Sequence, residues 1–404
     1  MGESEAAEER HAAYYLSFAE KAESNLMRVA NGSWFQRVEV ESDNLAAALY
    51  WCTAKPDRLE MEMRLVAALI WFWCIRGYVS QGRAWIDSAL ERSVSYDRHI
   101  GLRAKCLYGT GALAYTEGDT EMAHTQLADS LTLSQKIGDR LLIAQTRYLM
   151  GLALLGQGDS KGARLAYEES LVLIREAQDP WSEAFVLACL GHVTLMQGYW
   201  IGARSLYGES LARFRDLGND FGRGMVLHGL GGLAQLQGRP ASARRLYSDS
   251  ASLIRESGDK CALSAALIGL AQAKLSSGSS AQARILFTES VIIARDTASQ
   301  IRLAVSLAGL ARVAAVRGEA EHAGRLFGAT EALFPATGIL MDGVFPTVGM
   351  LRDGSERPSF LRQVAAARRR LDPDAFASGW SAGASMSIAE VIESACERDE
   401  SATP

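Results

Sequence analysis

Gly198-Tyr-Trp-Ile-Gly-Ala203-Arg-Ser-Leu-Tyr207-Gly-Glu-Ser210 returns forty residues later as Gly238-Arg-Pro-Ala-Ser-Ala243-Arg-Arg-Leu-Tyr247-Ser-Asp-Ser250. The same frame extends outward in both directions. Gly118, Gly158, Gly198, Gly238, Gly278 and Gly318 stand 40 residues apart, and Ala123, Ala163, Ala203, Ala243, Ala283 and Ala323 follow five positions after them. A large residue comes four positions later, at Leu127, Tyr167, Tyr207, Tyr247, Phe287 and Phe327, and then a small hydroxyl at Ser130, Ser170, Ser210, Ser250, Ser290 and Thr330. Self-similarity at such a period marks units that bury a core only by stacking on their neighbours.

Each unit reads as two helices and two turns. Between Ser182 and Met196, Phe185, Val186, Leu187, Leu190 and Val193 fall mostly at helical spacing, and the run meets Gln197-Gly198, a natural left-handed helix end. From Ala203 a second amphipathic run carries Leu206, Tyr207, Leu211 and Phe214 to a stop at Leu217-Gly218-Asn219-Asp220, with comparable stops at Ile137-Gly138-Asp139 and Ser257-Gly258-Asp259. The recurring Ala suits a close helix crossing. The large residue is expected to wedge between neighbouring hairpins, and Gly111, Gly151, Gly191, Gly231, Ala271 or Ala311 lies seven residues before each turn Gly. We read these stripes as packing.

A small residue, a turn Gly, Ala five later and an aromatic four after that resemble the tetratricopeptide repeat, here with a period of 40 instead of the usual ~34. The resemblance covers roughly residues 101–340. It implies an all-α fold, a right-handed superhelical solenoid of antiparallel helix pairs with N-terminal and C-terminal helical caps. The expected organisation is an N-terminal helical segment (1–56), a degenerate helix pair (57–100) with Gly77, Gly82 and Ile86 in the repeat frame, six repeats (101–340), a Gly- and Pro-rich loop (341–358), and capping helices with a tail (359–404). In the last segment Asp372-Pro373 reads as a cap followed by Pro at the first helical position. Ser387-Ile-Ala-Glu390 reads as a capping box. The tail is expected to shield the last repeat or, alternatively, to fold back over a groove as a lid.

His11 to Glu23, Trp34 to Trp51, the Trp71-Phe-Trp-Cys-Ile-Arg-Gly77 stretch, Ala323 to Leu333 and Ala375 to Glu390 together resemble the sensor arrays of bacterial STAND-type signalling ATPases of the AfsR, MalT and LuxR-like regulator groups. This resemblance implies a ligand- or partner-sensing arm whose ATPase and DNA-binding domains lie outside this chain. No G-x-x-x-x-G-K-[ST] occurs, so the phosphate cradle of those ATPases is not carried over. Two readings stay open, an excised sensor region and a stand-alone relative.

With 48% hydrophobic residues and 8 Pro in 404 residues, the chain can bury a long continuous core. A net charge of −5 argues against direct binding of nucleic acid, which rests on a basic surface. No long uncharged apolar run and no signal peptide appear, so the expectation is no membrane association and a cytoplasmic location. Six dispersed Cys without C-x-x-C and six scattered His lead us to expect no metal, no cofactor and no catalytic residue.

In tetratricopeptide superhelices the first helices line the concave surface. The resemblance, with the recurring Ala as register mark, therefore points to Lys105, Tyr108, Tyr115, Gln145, Tyr148, Phe185, His192, Met196, Met225, His228, Gln235, Gln272 and Arg312 as groove residues. Such a mixture of apolar surface and sparse polar groups suits a small organic ligand, a peptide or an amphipathic protein segment. The expected function is a non-enzymatic sensor or interaction module of a bacterial signalling or transcriptional regulator. The alternative is a constitutive scaffold for protein assembly without a small ligand.

Overall fold

The computed structural model describes residues 2–26, 33–93, 99–297, 299–337 and 356–396. The helices are α1 (Gly2–Leu26), α2 (Ser33–Val40), α3 (Ser42–Thr53), α4 (Leu59–Arg76), α5 (Val79–Ser93), α6 (Ile100–Glu117), α7 (Thr120–Ile137), α8 (Arg140–Gly156), α9 (Ser160–Glu176), α10 (Pro180–Met196), α11 (Trp200–Asp216) and α12 (Asp220–Leu236). They continue as α13 (Pro240–Ser257), α14 (Lys260–Ser276), α15 (Ser280–Asp296), α16 (Gln300–Arg317), α17 (Ala320–Thr337), α18 (Glu356–Arg368), α19 (Pro373–Ala384) and α20 (Ile388–Cys396). There is no strand among the described residues. The chain is all-α, built of antiparallel helix pairs packed in series, as the sequence periodicity requires. Two compact units divide it, Met1–Arg223 with Glu256–Asp259, and Gly224–Arg255 with Lys260–Pro404.

In the first unit the ends of the helices follow from local chemistry. Asp119, Asp139 and Asp159 each accept the N–H of the third helical residue through Oδ1, at 3.0, 3.0 and 2.9 Å, which satisfies a donor that the helix itself cannot. At the end of α7, Gly138 takes φ +71°. Its N–H donates to Gln135 O and that of Asp139 to Ser134 O, at 3.2 and 3.0 Å, the paired bonds of a Schellman stop. One turn of this series has no glycine. Gln178 adopts φ +54° there, a left-handed conformation unfavourable for a residue with a Cβ.

The two stripes of the repeat meet each other inside each pair. A Cβ placed on Gly111, Gly151 or Gly191 would lie 2.6, 2.5 or 2.9 Å from Leu127, Tyr167 or Tyr207, so the small residue of the first helix is the seat of the large one on the second. The hydroxyl stripe stitches the same helices together. Ser130, Ser170 and Ser210 donate to the carbonyls of Ala104, Ala144 and Ala184 at 2.8, 2.8 and 2.6 Å.

In the second unit the pattern holds with smaller exchanges. Gly231 receives Tyr247 as Gly191 does Tyr207, and Tyr247 and Phe287 also press on Gly269 and Gly309 of the following pair, the wedging expected from sequence. Helices α18 to α20 share one core with the last repeats, because Phe360, Val364, Ala367, Phe376, Val391, Ile392 and Ala395 are buried together with Phe287 and Phe327. Asp372 caps α19 by accepting from Ala375 N at 2.8 Å, with Pro373 at the first helical position. Ser387 and Glu390 form the reciprocal capping box, with both the N–H and the hydroxyl of Ser387 donating to Glu390 Oε2 at 2.7 Å. The loop expected at 341–358 falls mostly on residues 338–355, outside the described part, and α18 begins at Glu356. The end of the tail, 397–404, lies outside it too.

Candidate functional site

The first helices of consecutive pairs repeat the same face every 40 residues, so Lys105 and Tyr108 of α6 come to lie beside Gln145 and Tyr148 of α8. These four line one cavity of about 210 Å³ in the first unit, with Glu23 of α1, Trp71 of α4 and the start of α10 at Asp179 and Trp181 completing it. The register argument therefore gathers four of its thirteen residues into one place. It missed Glu23, Trp71, Asp179 and Trp181. Trp71 and Trp181 are large aromatics that the sequence displays openly, but their helical register with the groove residues is not the repeated one.

The walls are aromatic. Trp71 meets Tyr108 edge-on at 6.3 Å between centroids, Tyr148 meets Phe185 at 5.4 Å, and Phe185 stacks on Trp181 at 5.5 Å with 12° between planes. Tyr108 and Tyr148 share a hydrogen bond between their hydroxyls at 3.0 Å. Burial raises both phenols well above the usual tyrosine range, so the pair is neutral at any physiological pH and can only donate or accept hydrogen bonds. Lys105 Nζ lies 2.6 Å from Glu23 Oε1. The Asp179 carboxylate is held by the start of α10, accepting from Ser182 Oγ at 2.8 Å. The indole N–H of Trp181 is buried without an acceptor. Such a cavity offers an aromatic wall, one compensated cation and a few fixed polar groups.

The remaining groove residues divide by depth. Tyr115, Phe185 and His192 are 2% exposed and Met225 and His228 at most 5%, so they are core side chains on the face that register selects. Met196 and Gln272 are half-buried and Gln235 is exposed. In the second unit His228 packs edge-on against Tyr247 at 5.0 Å, and Tyr247 donates its hydroxyl to Gln235 Oε1 at 3.3 Å. Arg312 lines a different cavity, near α18.

Four of the thiols are shut away from reactants. Cys52, Cys74, Cys106 and Cys189 are buried, and burial pushes Cys52 and Cys106 up to about 12, far from the thiolate form that reacts. No group of three or more His, Cys, Asp or Glu able to hold a metal occurs among the described residues. None of the described helices is long and apolar enough to cross a membrane.

Comparison with known proteins agrees with the all-helical repeat fold. Residues 223–296 match the tetratricopeptide repeat family. No curated protein matches the chain in sequence. Among solved structures, the apo form of RapI is similar at 13% identity, over 65% of this chain and 96% of that one, with a TM-score of 0.52. Aspartyl phosphate phosphatase F from Bacillus subtilis is similar at 12% identity, over 64% and 68%, with a TM-score of 0.50. A signal transduction ATPase with numerous domains (STAND) from Pyrococcus horikoshii, which has a tetratricopeptide repeat sensor, is similar at 15% identity over 82% of this chain and 52% of its own, with a TM-score of 0.49. At these identities the likeness is one of fold. The fold is that of tetratricopeptide-repeat proteins.

Proposed function

We propose that this chain is a non-enzymatic sensor or interaction module that takes a peptide or protein segment on its first-helix face, with the cavity around Tyr108 and Tyr148 as the anchoring point. The observation that carries this reading is that cavity. Side chains forty residues apart in sequence form an aromatic-walled recess with the Tyr hydroxyl pair, Gln145, Lys105 and an unmatched indole N–H around it. A buried side chain from a partner segment would fill the apolar recess, and its backbone amides would meet the fixed polar groups. Support for a regulatory setting comes from sequence, where the segments at 11–23, 34–51, 71–77, 323–333 and 375–390 resemble STAND-type sensor arrays. In that setting occupancy would favour one docking state on an ATPase or DNA-binding domain outside this chain. Only a difference in affinity between two states achieves such a switch.

The test is a panel of random peptides displayed at equal density, probed with the full chain and with Lys105→Ala and Gln145→Ala. Both side chains are only half-buried, so these variants keep the fold, whereas joint removal of the buried Tyr148, His192 and His228 would open the core. Peptides that lose at least tenfold in affinity for both variants support the reading. Binding indifferent to both, or no binding at all, sinks it. Adducts of under a kilodalton in a native mass spectrum, absent from the variants, would replace the peptide by a small molecule.

A further inference from the structure

Arg312, on α16, is partly buried, and among the described residues its positive charge has no carboxylate partner. It lines a cavity of about 390 Å³ in the second unit, and Arg362 of α18 and Arg370 just beyond that helix line the same cavity. Among the described residues no carboxylate lies within 4.0 Å of any of the three guanidinium groups, although arginines elsewhere are paired, as in Arg255 with Glu289 and Arg325 with Glu321. A buried charge without a partner is costly, and like charges gathered around one space add repulsion. Burial also holds Arg312 below the usual arginine range. One anion could pair with Arg312 and also meet the exposed Arg362 and Arg370.

The rest of the lining says what else that anion carries. Phe327, Ala315, Val316 and Ala366 give the cavity an apolar wall, with Gln363 and Ser276 as polar side chains on it. Its volume falls in the range of sites for small molecules, roughly 300–1,000 Å³. Guanidinium forks match the planar geometry of carboxylate and the faces of phosphate. We propose that this cavity is a binding site for a small organic oxyanion, a carboxylate or phosphate ester, whose charged end meets Arg312, Arg362 and Arg370 and whose apolar body lies against Phe327 and Val316. It shares no residue with the cavity around Tyr148, and it stands or falls independently of the function proposed there.

The experiment is calorimetric titration of the full chain at low salt with phenyl phosphate, benzoate, inorganic phosphate and phenol. At least one of the two aromatic anions should bind, more tightly than inorganic phosphate, and phenol should not. Whichever aromatic anion binds better names the headgroup. Arg312→Gln and Arg362→Gln should each weaken the better ligand at least tenfold. Arg362 is exposed, so its variant keeps the fold even if Arg312→Gln does not. A purely structural arginine would destabilise the free protein when removed; here free Arg312→Gln should melt no lower than wild type and should lose the stabilisation that the ligand gives. Absence of binding by both aromatic anions, binding unchanged in Arg362→Gln, or equal binding of phenol overturns the proposal.

Discussion

In α8, Gly151 leaves room for the ring of Tyr167, whose nearest atom would lie 2.5 Å from an added Cβ. In α19, Gly379 and Gly383 leave room for the backbone of α17, where an added Cβ would lie 2.0 Å from Glu321 O and 1.9 Å from Arg325 O. Gly324 and Gly328 of α17 face Phe376 O and Trp380 O in return, each at 2.2 Å. The two regions use the same residue against different neighbours. A ring can tilt or be exchanged for a smaller one, and the repeats show this, since Ala271 and Ala311 stand at the position of Gly151 in the last two repeats, where Phe replaces Tyr. A helix backbone cannot yield without carrying its whole helix away. The repeats therefore tolerate variation where the closing helices do not.

The largest effect should come from breaking that closing contact. Gly379→Ala, and more so Gly379→Ala with Gly383→Ala, is expected to cost about 3 kcal/mol or more, because α17 and α19 must separate and loosen the core they share. Thermal unfolding followed by circular dichroism would show it, with faster amide exchange in α17 and α19. An unchanged melting curve would mean that the helices do not cross this closely.

Gly151→Ala should cost less, on the order of 1–3 kcal/mol for overpacking. Adding Tyr167→Phe should recover part of the loss, and Tyr167→Phe alone should not destabilise, because the Tyr167 hydroxyl is buried without a partner. A double variant no better than Gly151→Ala would show that the ring cannot adjust, and the contrast with α19 would disappear.

The hydroxyl stripe gives a finer comparison within the repeats. Ser170→Ala removes a buried bond to Ala144 O and should cost about 1 kcal/mol. Ser250→Ala should be close to neutral, because the Ser250 hydroxyl is buried with no partner. Equal losses at the two sites would contradict the bonding pattern. The smallest effect is a gain. Gln178→Gly relieves a left-handed residue at φ +54°, and after glycine's extra entropy in the unfolded chain is subtracted, about 0.5 kcal/mol of stabilisation should remain in equilibrium unfolding.

Much of the candidate site was visible as a face and little of it as a place. Register put Lys105, Tyr108, Gln145 and Tyr148 on the first helices, and the cavity holds all four. It put Tyr115 and His192 on those helices as well, yet both are 2% exposed. Spacing along a helix gives direction around the axis, but depth depends on how the next helix covers that direction. Glu23 reaches the cavity from α1, outside the repeats, and Trp71 from α4 of the degenerate pair, whose repeat frame was marked only at Gly77, Gly82 and Ile86.

The sequence alone determined the helix pairs, their order and which of their positions pack. Period, turn glycines and the recurring Gly, Ala, aromatic and hydroxyl stripes are all local features or copies of one unit, so a single reading repeats along the chain. The tertiary structure decided what no period encodes. Gly324 and Gly328 meet the α19 backbone at Phe376 and Trp380, Gly379 and Gly383 meet the α17 backbone at Glu321 and Arg325, and Arg312, Arg362 and Arg370 line one cavity, across stretches of sequence that share no spacing. Such encounters depend on where α18 and α19 settle on the last repeats. That is a matter of burying one shared core, and the same packing brings three arginines around one cavity.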